Sequence, residues 1–286
     1  MNDWIKAGDI AKGAREYGRS LVVVGANLLE VTEKIEDKIF ELGGKPAFPA
    51  QLSINSTAAH YNATVGDETE FKEGDLIKLD VGVHVNGAIG DTACTIDLGN
   101  NSELVKASED ALAAAIELAK PGVEVREIGD AISKTIRAAG FSPIKNLGGH
   151  GLAPYSVHTS PSIPNFNNGD TTKLKAGEHI AIEPFATDGE GTVVEGAGSE
   201  IYLFKGKKPV RDMNSRKILT YIETEYNGLP FAKRWLTKKF RGVNMAFTLL
   251  ERAGAIYQYP RLVERKRGMV AQTEHSLIVG ESVTTK

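Results

Sequence analysis

The stretch Asp80-Val81-Gly82-Val83-His84-Val85-Asn86-Gly87-Ala88-Ile89-Gly90-Asp91 constrains this chain more than any other. Apolar, β-branched residues run up to Asn86-Gly87 and resume after it. Both turn residues tolerate the positive φ of a type I′ turn, so the pair predicts a tight β-hairpin. With Asn86 and Gly87 as the loop, Val85 faces Ala88 and Gly82 faces Asp91. Asp80 shares a face with Gly82, because side chains alternate along a strand. The two carboxylates are therefore diagonal neighbours on one face of a ribbon. At that separation they repel, and one would take up a proton unless something positive lies between them. A lone Asp pair is more often solvated surface, but aspartate is depleted in strands. A metal site is the better reading, and it needs more ligands.

Composition narrows the class. The 286 residues allow one large domain or two smaller ones. Hydrophobic content of 41% and charged content of 25% are ordinary for a soluble globular protein. A net charge of −3 leaves no footprint for nucleic acid or an anionic membrane. No stretch approaches the roughly 20 apolar residues of a membrane span. The start, Met1-Asn2-Asp3-Trp4, lacks the charged and apolar regions of a signal peptide. Cys94 is the single cysteine, so no internal disulfide forms, and a reducing, cytoplasmic setting fits. Mid-strand beside Thr95, it reads as a small core residue rather than a nucleophile.

Trp4, Ile10, Ala14, Tyr17 and Leu21 recur at helical spacing and predict an amphipathic helix over 3–24. A second helix is predicted from Leu28 to Leu42, stopped by Gly43-Gly44. Residues 45–75 are mixed, with Pro46 and Pro49 marking extended segments and Ala58-Ala59-His60-Tyr61-Asn62 following. After the hairpin, Ser102 is placed to cap a helix over 103–120, ended by Pro121-Gly122. Val125, Ile128, Ile132 and Ile136 mark another, ended by Gly140. Two helices followed by strands thus occur twice, a duplication of elements rather than of residues. Gly177–Phe185 reads as one strand with Glu183 on the face of Ala181. A further strand is predicted near Ile201–Lys205, and a last one over Met269–Val279. From about Pro209 the composition turns helical and basic, with helices predicted near 214–226, 230–240 and 243–253. A solvated basic face is the default reading of that segment.

Four acids stand in apolar strand settings: Asp80, Asp91, Glu183 and Glu274. His150 sits in the glycine-flanked run Gly148-Gly149-His150-Gly151. Buried carboxylates need partners, and no lysine or arginine stands beside any of them in sequence. Two divalent cations would neutralise about four negative charges. Mixed oxygen and nitrogen donors suit Co, Mn, Fe or Zn rather than an all-oxygen Mg or Ca cage. Such ions, about 3.5–4 Å apart, can activate a water and polarise a carbonyl.

The five contexts Asp80-Val81-Gly82, Asp91-Thr92-Ala93, Gly149-His150-Gly151, Ile182-Glu183-Pro184 and Gln272-Thr273-Glu274-His275 resemble, in that order, the ligand set of the pita-bread metallopeptidases. Within that group the chain is similar to the type 2 methionine aminopeptidases, in their archaeal form. Pro230-Phe231-Ala232-Lys233-Arg234-Trp235-Leu236 and Tyr257-Gln258-Tyr259-Pro260 resemble the helical insert that type 1 relatives lack. The resemblance implies an α+β pita-bread (creatinase/aminopeptidase) fold. It has a curved antiparallel sheet, two helix pairs related by a pseudo-two-fold, and a helical insert. The catalytic domain would be discontinuous, 1–205 and 256–286, with the insert over 206–255. Asp91 and Glu274 would bridge two divalent metal ions, Asp80 would complete one, and His150 and Glu183 the other. Glu183 would also take a proton from the attacking water. His60 and His158 would be catalytic and touch substrate. Phe48, Val157, Phe185, Ile201, Pro230 and Tyr259 would line the pocket for the methionine side chain, although each reads equally well as core. His84, His179 and His275 read as structural or surface.

The implied function is removal of the N-terminal methionine from nascent proteins with a small second residue. Nascent polypeptide N-termini are the expected partners, with the ribosome a further candidate. No nucleic acid, no membrane and a monomeric state are expected. Two rivals remain. Prolidases and X-Pro aminopeptidases share the chemistry but carry a separate N-terminal domain, and only 79 residues precede Asp80. Non-catalytic binding proteins share the fold but have lost ligands, whereas all five stand here.

Overall fold

The computed structural model describes residues 2–286. Strands Leu76–Val85 and Ala88–Asp97 form the central hairpin. Val85 lies opposite Ala88, and Gly82 opposite Asp91, the register that the Asn-Gly turn predicts. Asn86 (φ 51°) and Gly87 (φ 94°) both take the left-handed conformation such a turn demands. Gly82 also makes room: a Cβ there would collide with the Phe48 ring.

Helices α1 (Asp3–Leu21) and α2 (Leu28–Glu41) cover one face of this hairpin. Each starts on an asparagine whose side chain accepts a backbone N–H: Asn2 from Trp4, and Asn27 from Glu30. Ala7, Ile10, Ala11 and Ala14 bury the small face of α1 against Leu79, Val81 and Val83. Gly18 permits the close approach, since a Cβ there would stand 2.7 Å from the Ile35 side chain and 2.8 Å from that of Leu79. Helices α3 (Ser102–Leu118) and α4 (Val125–Ala138) repeat the arrangement in the second half. Their Leu112, Ile128, Ile132 and Ile136 pack with Ile163, Ile180 and Ile182. Ser102 is the first helical residue rather than the cap. Asn101 takes the cap position, but its own amide donates to Asp97, so it caps nothing.

One nine-stranded antiparallel sheet unites the halves. Across it run, as neighbours, Leu76–Val85, Ala88–Asp97, Glu274–Ile278, His179–Ile182, Gly148–Ala153 and Ser156–Pro164. Two predicted strands are broken. The Gly177–Phe185 stretch splits into His179–Ile182 and Phe185–Thr187, with Glu183-Pro184 between them. Proline has no N–H to continue a ladder. The Met269–Val279 stretch splits into Val270–Gln272 and Glu274–Ile278. The breaks coincide: the outer pieces pair in the large sheet and the inner pieces in a separate three-stranded one. The Thr273 N–H donates to the Pro184 carbonyl at 3.3 Å across the junction. Glu183 therefore lies outside the strand, and alternation does not set its direction.

Two further expectations shift. The strand near Ile201 begins at Val193 and runs to Phe204, with register irregularities around Gly198. Its Glu195-Gly196-Ala197-Gly198 run has turn composition, which such irregularities tolerate. The helix expected over 230–240 shrinks to α6 (Lys233–Thr237), because Phe231 and Ala232 pair with Tyr202 and Ile201. Together with α5 (Met213–Tyr226) and α7 (Val243–Arg252) it encloses a separate core of Ile218, Ile222, Phe247 and Leu250. Among the described residues, no helix is long and apolar enough to cross a membrane.

Candidate active site

The strand order assembles the acids. Asp80, Asp91, Glu274, Glu183 and His150 stand on, or at the end of, five consecutive neighbouring strands of the large sheet. Ala93 lies opposite both Asp80 and Glu274, so its small side chain sits between two acid-bearing strands. Asp91, His150 and Glu274 offer donor atoms all within 4.8 Å of one another. The Nε2 of His150 is 3.9 Å from Asp91 Oδ2 and 3.6 Å from Glu183 Oε1.

All five open into one cavity of about 670 Å³. His60 and His158 line it, as do Phe48, Val157, Phe185, Ile201, Pro230 and Tyr259. His60 follows strand Thr57–Ala59 of a different, four-stranded sheet, so the cavity lies where separate sheets meet. Its Nδ1 is 3.0 Å from the Pro260 carbonyl, and its ring meets Tyr259 edge-on. The His158 ring lies 4.3 Å from that of His150. The other histidines are engaged elsewhere: His179 stacks on Trp4, His84 meets Tyr155 edge-on, and His275 Nδ1 lies 3.0 Å from Thr285 Oγ1. Cys94 is half-buried, and burial pushes its thiol up to about 12, so it is no nucleophile.

Other buried acids show what a satisfied carboxylate looks like here. Glu36 receives both terminal nitrogens of Arg234, at 2.9 and 2.8 Å, and the Trp235 indole N–H. Burial would raise Glu264, but four backbone N–H groups, from Glu190, Gly191, Lys266 and Gly268, hold it below the ordinary value. The cavity acids have neither remedy. Among the described residues, no lysine or arginine forms an ion pair with any of them, and Oδ1 of both Asp80 and Asp91 is buried without a hydrogen-bond partner. Burial raises Asp80 to about 7. It carries Asp91, Glu183 and Glu274 well above the usual range, with their mutual charge adding to the effect. Burial and the neighbouring His158 lower His150 to about 3, which leaves the neutral imidazole that ligates metals. The His158 side chain is exposed on its strand and open to the cavity. Acids that cannot all ionise unaided, orphaned oxygens and a neutral imidazole fit divalent cations.

Two glutamines enter the site that sequence reading passed over. Gln272 Nε2 donates to Glu183 Oε2 at 3.3 Å, and Gln51 Nε2 donates to Asp80 Oδ2 at 3.1 Å. A buried amide two residues before Glu274 was a usable signal for Gln272. Gln51, in Ala50-Gln51-Leu52, carried no such mark.

Comparison with known proteins agrees with this geometry. Residues 4–226 match the family described as metallopeptidase family M24. The methionine aminopeptidase of Archaeoglobus fulgidus is 49% identical over 285 residues, covering 99% of this chain and 97% of that protein. Among solved structures, a thermophilic Arx1 superposes with a TM-score of 0.84 at 17% identity, covering 98% of this chain and 88% of that one. The methionine aminopeptidase of Thermotoga maritima superposes with a TM-score of 0.71 at 24% identity, covering 99% and 94%. The fold is the pita-bread fold, and the chain belongs to metallopeptidase family M24, among its methionine aminopeptidases.

Proposed function

We propose that this chain removes the N-terminal methionine from nascent proteins whose second residue is small, as the archaeal type 2 enzymes do, with two divalent ions. The observation that carries the reading is the set of four acids, three buried and Glu183 partly so, that lack any Lys or Arg partner, in the same cavity as His60 and His158. Asp91 and Glu274 would hold both ions, Asp80 one, and His150 and Glu183 the other. Bound there, the ions would lower the pKa of a water and polarise the scissile carbonyl. Glu183 accepts the proton of the attacking water. His60 and His158 hold the scissile amide and its carbonyl oxygen. Phe48, Val157, Phe185, Ile201, Pro230 and Tyr259 would form an apolar slot for the flexible thioether. In this reading 1–205 and 256–286 form the catalytic domain, 206–255 the insert, and the enzyme works as a cytoplasmic monomer near the ribosome.

The test is release of methionine from Met-Ala and Met-Leu peptides, and hydrolysis of an X-Pro dipeptide, with Co, Mn, Fe or Zn. Turnover of Met-Ala well above the other two is expected. Preference for X-Pro would transfer the chain to the prolidase class. No release with any of the metals would make it a binding protein.

A further inference from the structure

Gln51 joins two parts of the site that come from different sheets. It stands in strand Gln51–Ile54, directly opposite Asp80. Its Nε2 donates to Asp80 Oδ2 at 3.1 Å, while its Oε1 accepts the backbone N–H of His60 at 2.6 Å. Each partner fixes the amide's orientation, since a carboxylate needs a donor and a main-chain N–H an acceptor. His60 has φ 64°, a left-handed conformation sparsely populated by residues other than glycine. A residue held there persists only when its surroundings over-determine it. The Gln51 side chain is buried and lines the cavity. Strand pairing does not require it, because the backbone register from Gln51 to Ile54 already secures the ladder.

We propose that Gln51 is a positioning residue that ties the Asp80 carboxylate to the His60 main chain. It occupies one oxygen of Asp80 and leaves the orphaned Oδ1 for an ion. It also holds His60 at one distance from that ligand. One amide thus couples ion binding to the placement of the group that meets substrate. The inference rests on the proposed reading of Asp80 as an ion ligand and His60 as a substrate contact.

The test compares wild type, Gln51→Met and Gln51→Asn. Met keeps length and volume but offers neither bond, whereas Asn is one methylene too short to reach both partners at once. Binding of Mn²⁺ to metal-free protein is measured by calorimetry, kcat and KM on a Met-Ala peptide by methionine release, and folding by circular dichroism. In folded Gln51→Met, Mn²⁺ affinity at one site should fall about 10–100-fold, the usual effect of removing a ligand's hydrogen-bond partner. Its kcat should fall more than its KM rises. Gln51→Asn should lie between Met and wild type, and it carries the test alone if Gln51→Met does not fold. A lower melting temperature with unchanged Mn²⁺ affinity and kcat overturns the proposal and leaves Gln51 a packing residue. Wild type that binds no Mn²⁺ overturns instead the reading beneath it.

Discussion

Two regions deliver the cavity's acids, and they do so by opposite means. The hairpin carries Asp80 and Asp91 in one contiguous stretch, on two strands whose ladder is unbroken from Leu76 opposite Asp97 to Val85 opposite Ala88. Glu183 and Glu274 come from strands far apart in sequence, and both stand where a strand stops and its continuation joins another sheet. An unbroken ladder places side chains only by alternation, so its acids must share a face. A break frees the backbone to turn a carboxylate toward that face. The fold therefore needs one regular region to fix a reference plane and one irregular region to close it with charge.

The largest expected effect tests whether both regions supply equal partners. Glu274→Ala from the crossing and Asp91→Ala from the hairpin should each lower turnover by more than about 100-fold, since even losing a ligand's supporting hydrogen bond costs 10–100-fold. Circular dichroism of the metal-free variants should match wild type, because removing one acid relieves repulsion within the cluster. Activity retained in either variant breaks the symmetry and removes that residue from the ligand set. Next, His60→Ala, outside both regions, should lower kcat by about 100-fold, within the range of a lost acid–base or positioning group. Ion affinity should hold, and its loss would move His60 among the ligands.

The hairpin was legible because its signals are local. Asn86-Gly87 sets the register, the register sets the face, and the face sets the acid pair. The crossing was legible only in part. Glu183 and Glu274 stood out as acids in apolar runs, but each run read as a single strand. Pro184 was the visible warning of the first break. No local signal in Gln272-Thr273-Glu274 announced the second, since that break follows from where the neighbouring strand goes. Gln51 was hidden for the same reason: its two partners come from strand pairing at Asp80 and from the return of the chain past the Asn55-Ser56 turn, which brings His60 back beside it. The helices fared well, because periodicity is a local property. The exception was α6, where pairing of Phe231-Ala232 with a distant strand overrode a helical pattern.

Smaller effects sharpen the contrast further. In metal-free protein, Asp80 is raised to about 7 from an ordinary 3.8, so the folded chain keeps a proton that the unfolded chain has lost. Unfolding free energy then falls as pH rises from about 4 through 7. Below about pH 6.5 the lowered His150 opposes this, because the unfolded chain protonates it first. Above it the acids act alone, so the melting temperature in chelator should drop between pH 7 and pH 8. Saturating Mn²⁺ should flatten that slope, and a slope that Mn²⁺ leaves unchanged would assign the pH dependence elsewhere. The smallest effects concern backbone. Gly87→Val places a branched side chain at φ 94° against the Tyr155 ring and should cost roughly 1–2 kcal/mol or more. Pro184→Ala should cost less, about 0.4–1 kcal/mol through the unfolded chain. Denaturant unfolding that ranks them in reverse would make the crossing, not the hairpin, the more exacting backbone.

Calorimetric titration of the metal-free chain with Mn²⁺ at pH 7, in two buffers of different ionisation enthalpy, bears most directly on the idea that cations compensate these acids. Two ions bound per chain are expected, with net proton release as the ions displace protons held by Asp80, Asp91, Glu183 and Glu274. Absence of saturable binding, or binding unchanged when those four acids are replaced by their amides, would contradict it.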